Sequence, residues 1–364
     1  MSNRICFVMP TMSGGGAERV VSVLANEFIK AGYDVTLMLT NSTQIVYDLD
    51  KRIHIDTGCV TRKLGFIGQV RAIREKMKAV PEMAFISMMD NQNLFTLLAG
   101  IGQKNKVIIS QRNDPHRAFG NRRFISKIHP WLYTCADKVV FQTYDARDFY
   151  PKYARRKYHV ILNPLNEKLP IREVSNRSKR VVTVCRLHAQ KNLALAIDAF
   201  KELNSRFPEY VFEIYGEGEK ENELRRHVHD IGLDGKVLFK GFRKDIYDCI
   251  YDATMFVLSS DFEGLSNSMI EALALGIPTI ATDCPIGGSR MVIENGVNGY
   301  LVPIRNKERL ADAMIDIASH PDVQRRFSEQ SSLLRQKLSA PSIARQWLSV
   351  ITIMHRFRLK MKEK

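Results

Sequence analysis

A chain of 364 residues is longer than one hydrophobic core usually serves, so two domains are expected. Hydrophobic residues make up 45% of it, which excludes a disordered protein, and no stretch reaches the ~18 apolar residues of a membrane span. The formal net charge of +15 lies mostly before residue 170, and six scattered cysteines without a Cys-x-x-Cys favour reduced thiols over disulfides or a zinc site.

Short β-branched runs alternate with helical segments, the pattern of βαβ units and parallel sheets. In chain order the first half offers strands at Ile5–Met9, Val35–Thr40, Arg52–Asp56, Met83–Ser87, Val107–Ser110, Lys138–Gln142 and His159–Leu162. The second half offers Val181–Val184, Val211–Tyr215, Val237–Lys240, Met255–Leu258, Thr279–Ala281 and Tyr300–Val302. Between them the polar segment from Asn163 to Ser178, with two prolines, reads as an inter-domain linker. The tail from about Ser342 repeats Ile343, Trp347, Ile351 and Met354 at helical spacing. The expected class is α/β: two doubly wound, Rossmann-like domains (1–165 and 166–344) facing across a cleft. A C-terminal helix at about 345–364 would pack back on the first. In such sheets ligands bind at the carboxyl ends of the strands.

Four segments carry chemistry. The loop Ser13-Gly14-Gly15-Gly16-Ala-Glu18 follows the first strand and opens a helix, Ala17 to Ala31. Its glycines permit a sharp turn and close approach beside the positive end of a helix, so an anion or substrate loop is expected. A dinucleotide fingerprint fits poorly, because Arg19 stands where glycine or alanine is required. Arg186 and Lys191 share the loop after the first strand of the second half, where fixed cations would stabilise a departing diphosphate. Tyr215-Gly216-Glu217-Gly218 and Gly241-Phe242 each follow a strand, and Phe242 could face a base. Finally, Glu263 precedes a hinge at Gly264, and Glu271 lies on the helix from about Ser266 to Leu275, whose N-terminal amides suit a phosphate. Eight helical positions span ~12 Å, beyond the ~5 to 9.5 Å of glycosidase carboxylate pairs, which argues against hydrolysis.

Metal signals are poor: His227-Val-His229 lies on a polar helix, and Asp48-Leu-Asp50 stands in the wrong half for a sugar-transferase manganese motif. Basic residues at 117, 122, 123 and 127 share a segment with Phe124, Ile125, Ile128, Trp131 and Leu132, roughly one helix face. Such a helix suits an anionic bilayer surface, and the plainer reading is a solvated basic face over an ordinary core helix. The basic clusters lack a DNA or RNA module, so no nucleic-acid partner is expected.

At these residues the chain resembles the retaining nucleotide-sugar glycosyltransferases of the GT-B fold, specifically the large family four. The resemblance covers nearly the whole chain: the Gly14–Glu18 loop, Arg186 with Lys191, the Gly216-Glu-Gly218 turn, the Glu-x7-Glu of Glu263 and Glu271, Asn163-Pro164, and Asn295–Pro303. Ser110–Pro115 and Asp283–Gly288 are similar to a subgroup that builds bacterial surface polysaccharides or lipid-linked oligosaccharides.

The resemblance implies Arg186, Lys191 and Glu263 as catalytic residues. It implies Gly15, Gly16, Gly216, Phe242, Leu265, Ser266, Asn267 and Glu271 as donor-binding residues, with Glu271 on the ribose. Glu18, Arg112, Asn113 and His116 are acceptor-side candidates. It further implies a UDP-sugar donor, a glycan or polyprenyl-diphosphate-linked acceptor, no metal and no cofactor. The protein would be cytoplasmic, with peripheral contact to the anionic inner-membrane surface. Cys185 and Arg290 depart from the pattern, standing where glycine and glutamate are common. The competing readings are a sugar-nucleotide epimerase of the same fold and a non-catalytic binder of nucleotide-sugar or anionic lipid.

Overall fold

The computed structural model describes residues 3–120, 122–171, 174 and 176–352. Contacts divide the chain into two units, Met1–Glu167 with the segment from Leu338 onward, and Lys168–Lys337. Each is built on one parallel sheet. The first sheet contains β1 (Arg4–Met9), β2 (Asp34–Leu39), β3 (His54–Asp56), β4 (Ala84–Ser87), β5 (Val107–Gln111), β6 (Lys138–Phe141) and β7 (Tyr158–Val160). The second contains β8 (Ser178–Val184), β9 (Val211–Tyr215), β10 (Val237–Gly241), β11 (Ala253–Leu258), β12 (Thr279–Thr282) and β13 (Tyr300–Val302). Every strand expected from sequence is present, because a parallel strand covered by helices on both faces is a continuous apolar run. β11, buried at all six positions, is the clearest case. β3 is shorter than expected, since the N–H groups of Arg52 and Ile53 donate to Asp50 in a turn, both at 3.0 Å, and are not in the ladder.

The strand orders are β3-β2-β1-β4-β5-β6-β7 and β10-β9-β8-β11-β12-β13. In each sheet the chain first steps outward to one side and then returns to build the other. The direction reverses between β1 and β4 and between β8 and β11, and these are the switch points where a crevice opens at the strand carboxyl ends. The loop carrying Gly14–Gly16 flanks the first. The loops carrying Arg186–Lys191 and Glu263 flank the second.

The linker and the return of the chain differ from the expectation. Asn163 and Leu165 are buried members of the first unit rather than free linker. The Asn163 Oδ1 accepts from Arg112 and, at 2.7 Å, from Gln142. The Leu165 N–H donates to the Leu338 carbonyl at 2.8 Å, so the outgoing and returning chains run side by side. The return begins at 338 rather than 345, ahead of the helix Ala340–Thr352, which packs on the helix Gly16–Lys30. Its Ile343, Trp347, Val350 and Ile351 are buried, and Lys106 donates to the Ile351 carbonyl at 2.9 Å. Met354, the last residue of the expected stripe, lies outside the described residues.

Trp347 has no exposed surface. Trp347→Ala should therefore lower the stability of the first unit by roughly 3–5 kcal/mol in urea unfolding. An unchanged midpoint would mean that this helix is not part of the unit's core.

Candidate functional site

The loop after β8 is shaped by its own backbone. The Cys185 N–H donates to the Tyr215 carbonyl at 3.0 Å, and Leu187 to that of Glu217 at 2.9 Å. Gly216 has φ +126°, and a Cβ there would lie 1.9 Å from the Cys185 oxygen. A Cβ on Gly218 would lie 2.4 Å from that of Leu187. The close approach expected here for a ligand is thus made by the chain itself: the glycines let the Arg186 loop lie against this turn. Cys185 has no left-handed φ, so nothing in its conformation requires glycine. Burial pushes its thiol up to about 11.

Two cations leave that loop in different states. Arg186 is exposed, and its side chain has no hydrogen bond or ion pair with any described residue. Lys191 is turned inward, with 14% of its side chain exposed, and pairs with Glu263, 17% exposed. Burial alone would lower the Lys191 pKa, but the Glu263 carboxylate outweighs it and holds the ammonium above its ordinary value. The loops after β8 and β11 are stitched around this pair. Ser259 Oγ donates to the Lys191 carbonyl at 2.8 Å, the Asp261 N–H to that of Gln190 at 2.9 Å, and Gln190 Nε2 to that of Phe262 at 2.8 Å. Asn192, in the left-handed region at φ +43°, donates to Asp261 at 3.0 Å and starts the helix Leu193–Arg206.

Glu263 is further set from below. A Cβ on Gly288 would sit 1.8 Å from the Gly264 carbonyl, so the Asp283–Gly288 segment is the floor on which the Glu263 turn rests. The helix Asn267–Ala274 follows, capped by Ser266. Its positive end lies beside Leu265, Ser266 and Asn267. Glu271, on its inner turn, is buried, and the Tyr247 hydroxyl donates to its Oε1 at 3.1 Å. Phe242 is 68% exposed directly after β10, and the Gly216 N–H donates to the Gly241 carbonyl at 2.8 Å. Arg290 pairs with Asp283 at 2.7 Å. Sequence reasoning therefore brought Arg186, Lys191, Glu263, Glu271, Phe242 and the Ser266 helix to one sheet end. It missed Gln190, Ser259, Asp261 and Tyr247, whose spacing from their partners carries no local signal.

The first unit treats its candidates differently. Glu18 Oε2 accepts from the Gly14 and Gly15 N–H groups, both at 2.7 Å, and the Tyr47 hydroxyl donates to the Gly15 carbonyl at 2.8 Å. These two amides already hold an internal carboxylate, so the loop is not an open anion cradle, and Glu18 serves it as a staple. Asn113 and His116 are exposed, whereas Arg112 turns inward to Asn163. Asp90, unremarked in the sequence, starts the helix Asp90–Gly100 at the β1/β4 switch point, and burial holds its carboxyl above the usual range.

Among the described residues no group of three or more His, Cys, Asp or Glu is placed to hold a metal ion. His227 bonds Asp198 at 2.7 Å, and His229 bonds Asp234 at 2.9 Å. No described helix is long and apolar enough to cross a membrane. The helix Arg123–Tyr133 does not keep its apolar residues together as expected. His129 and Tyr133 are buried and Ile125 and Leu132 half-buried, while Phe124 and Trp131 stand 75% and 58% exposed beside Arg123 and Lys127. Tyr153, also exposed, reaches Thr134 at the end of the same helix.

Residues 166–333 match the family model of glycosyl transferases group 1. The chain is 24% identical over 351 residues to an uncharacterized glycosyltransferase of Haemophilus influenzae, covering 95% of this chain and 98% of that protein. It is 23% identical over 359 residues to an alpha-1,4-N-acetyl-D-galactosaminyltransferase of Campylobacter jejuni, named for a diNAcBac-PP-undecaprenol-linked acceptor, covering 96% and 98%. Its fold is similar to that of Anabaena HepE in complex with UDP, with TM-score 0.80, 17% identity, and 96% and 99% of the two chains covered. The two parallel sheets are those of the GT-B fold. The likeness to glycosyl transferases group 1 thus lies in the second unit, while the likeness to the two curated relatives runs along nearly the whole chain.

Gly288→Ala should cost more than about 3 kcal/mol, because the added methyl meets backbone rather than a yielding side chain. Urea unfolding checks this, and a loss below about 1 kcal/mol would show that the Glu263 turn does not rest on this floor.

Proposed function

We propose that this chain is a retaining, metal-independent glycosyltransferase of family four. It would move a hexose or N-acetylhexosamine from a UDP-sugar to a saccharide hydroxyl. The acceptor would be linked to polyprenyl diphosphate, in the assembly of surface polysaccharide, O-antigen or capsule. The observation that carries the reading is the exposed guanidinium of Arg186, unpaired among the described residues, beside the Lys191–Glu263 pair at the switch point of a parallel sheet. The names of two similar proteins support it: the Campylobacter jejuni enzyme acts on an undecaprenol-diphosphate-linked glycan, and Anabaena HepE was solved with UDP.

In this reading the bond from the sugar C1 to the diphosphate oxygen breaks while the acceptor oxygen bonds to C1 on the same face. The leaving phosphate oxygen takes the acceptor proton. Negative charge grows on the diphosphate, and fixed donors stabilise it without reorganising. Lys191 and Glu263 together are close to neutral, so Arg186 supplies the unbalanced positive charge and forks onto two oxygens. The Lys191 ammonium has three N–H groups, of which Glu263 needs one. Glu263, held by Lys191, lies beside the transferred sugar. Glu271, steadied by Tyr247, takes the ribose, and Phe242 stacks on the base.

Peripheral membrane contact belongs to the same proposal. Phe124, Trp131 and Tyr153 present aromatic rings at the rim of a basic surface that includes Arg123, Lys127, Lys152 and Arg156. Aromatic rings insert at the headgroup level while basic residues hold anionic lipid.

Arg186→Ala should leave the circular dichroism spectrum unchanged and lower kcat/KM for sugar transfer by about 10²-fold or more. Turnover within a few-fold of the unmutated protein would overturn the role. Donor supplied without acceptor should remain unconverted; a new UDP-sugar isomer would instead indicate an epimerase. Vesicles containing anionic lipid should sediment the protein at low salt and release it at about 0.5 M salt, where surface charges are screened. Phe124→Ser with Trp131→Ser should abolish sedimentation, and unchanged binding would exclude this surface.

A further inference from the structure

We propose that Arg112 is the receiving group of an anion site in the first unit, taking a phosphate-class group carried by the acceptor substrate. Its assignment to the acceptor rests on the glycosyltransferase reading above; the site itself does not.

Arg112 directly follows β5, at the carboxyl end of the first sheet and one strand from the β1/β4 switch point. Its guanidinium is under-supplied with acceptors. One nitrogen donates to Asn163 Oδ1, another reaches Ser110 Oγ only at 3.4 Å, and the buried Nε has no partner. No carboxylate of the described residues pairs with it. Arginine stays charged in proteins, so this is a half-buried positive charge without a counter-charge.

Three other half-buried arginines serve as ties. Arg180 pairs with Glu213 and Asp252. Arg177 donates to the carbonyls of Ala253 and Gly276 and to Ser328 Oγ. Arg335 donates to the carbonyls of Leu169 and Pro170. Each of these ties two or more segments together. A structural role for Arg112 would be to hold Asn163. Gln142 already donates to the same Asn163 oxygen at 2.7 Å, and a neutral donor would serve as well as a cation. The charge is what the fold leaves unexplained.

An anion would settle it. The planar fork of a guanidinium matches the oxygens of phosphate or carboxylate. The residue as a whole is partly exposed, while its Nε is buried. The groups nearby add to the attraction more than they oppose it. Arg117, Arg122 and Arg123 follow on the same connection. Asp114 is occupied by the His116 N–H at 3.0 Å and by Arg117 at 3.7 Å. Asp90 is bonded by the Gln111 side chain, and burial raises its pKa from the ordinary carboxylate value. In the Gly14 loop the Glu18 carboxylate already holds the two amides, whereas Arg112 has no carboxylate partner among the described residues.

The test uses the full chain carrying Arg186→Ala, which silences the cation of the second unit. Inorganic pyrophosphate and glucuronate are titrated by calorimetry into this parent and into its Arg112→Gln and Arg112→Lys derivatives. Glutamine keeps a donor for Asn163 without the charge, and lysine keeps the charge. Pyrophosphate affinity should fall at least about tenfold with glutamine and stay within about threefold with lysine. Equal affinity in the parent and the glutamine variant overturns the site, and tighter glucuronate than pyrophosphate overturns its phosphate class. Should the glutamine variant not fold, parent crystals soaked in pyrophosphate decide, with density on Arg112 sustaining the site and its absence there refuting it.

The assignment to the acceptor is tested with Arg186 intact. Arg112→Gln should raise KM for a diphosphate-linked glycan at least about tenfold and change KM for a neutral glycoside of the same sugar by less than about twofold. Equal effects on both acceptors refute that assignment. Pyrophosphate binding without any sugar transfer would instead sink the transferase reading and leave the anion site standing.

Discussion

A buried ammonium needs a counter-charge, and the second unit supplies one from far along the chain. Lys191 and Glu263, 72 positions apart, meet because β8 and β11 are neighbours in the sheet although two strands separate them in sequence. Breaking a buried ion pair by removing one partner typically costs about 3–5 kcal/mol, since the survivor is left unpaired. The surroundings are built to keep this pair in register. Ser259, Gln190 and Asp261 tie one loop to the other, and Gly288 lets the floor approach Gly264 closely enough to set the turn. With Lys191 and Glu263 paired, Arg186 is the exposed cation of these loops, with no side-chain partner among the described residues.

The glycines of this protein show how one residue type serves different ends. Gly216, Gly218 and Gly288 are sites where the chain approaches its own backbone. Gly14, by contrast, has open space around it and a φ of +134°, so its use is conformational. Its turn aims two N–H groups at Glu18, which closes the loop on itself. A glycine-rich loop beside a helix start looks the same in sequence whether its amides await a ligand or already hold a side chain.

Arginines divide along a similar line. Arg177, Arg180 and Arg335 each donate to acceptors on other segments and read as ties between them. Arg186 and Arg112 are not saturated, one because it is exposed and the other although it is half-buried. Desolvation lowers the Arg112 pKa to about 9, with no neighbouring charge acting against it. A cation left in that state marks a place where the fold alone does not settle the electrostatics.

The sequence by itself determined the number of strands, their succession along the chain and the division into two halves. Apolar runs, glycine turns and charged loop residues are local features, and each reports on its own few neighbours. Tertiary structure alone decided which partner each charged group found. Glu18 was taken by the amides beside it, Asn163 became a hydrogen-bond hub rather than linker, and Phe124 and Trp131 turned outward while Ile125 and His129 turned in. It also brought Tyr247 to Glu271 and returned the chain to the first unit at Leu338. The reason is physical: pairing and burial depend on which strands and helices become neighbours, and that adjacency is a property of the whole sheet order, to which no short stretch of residues has access.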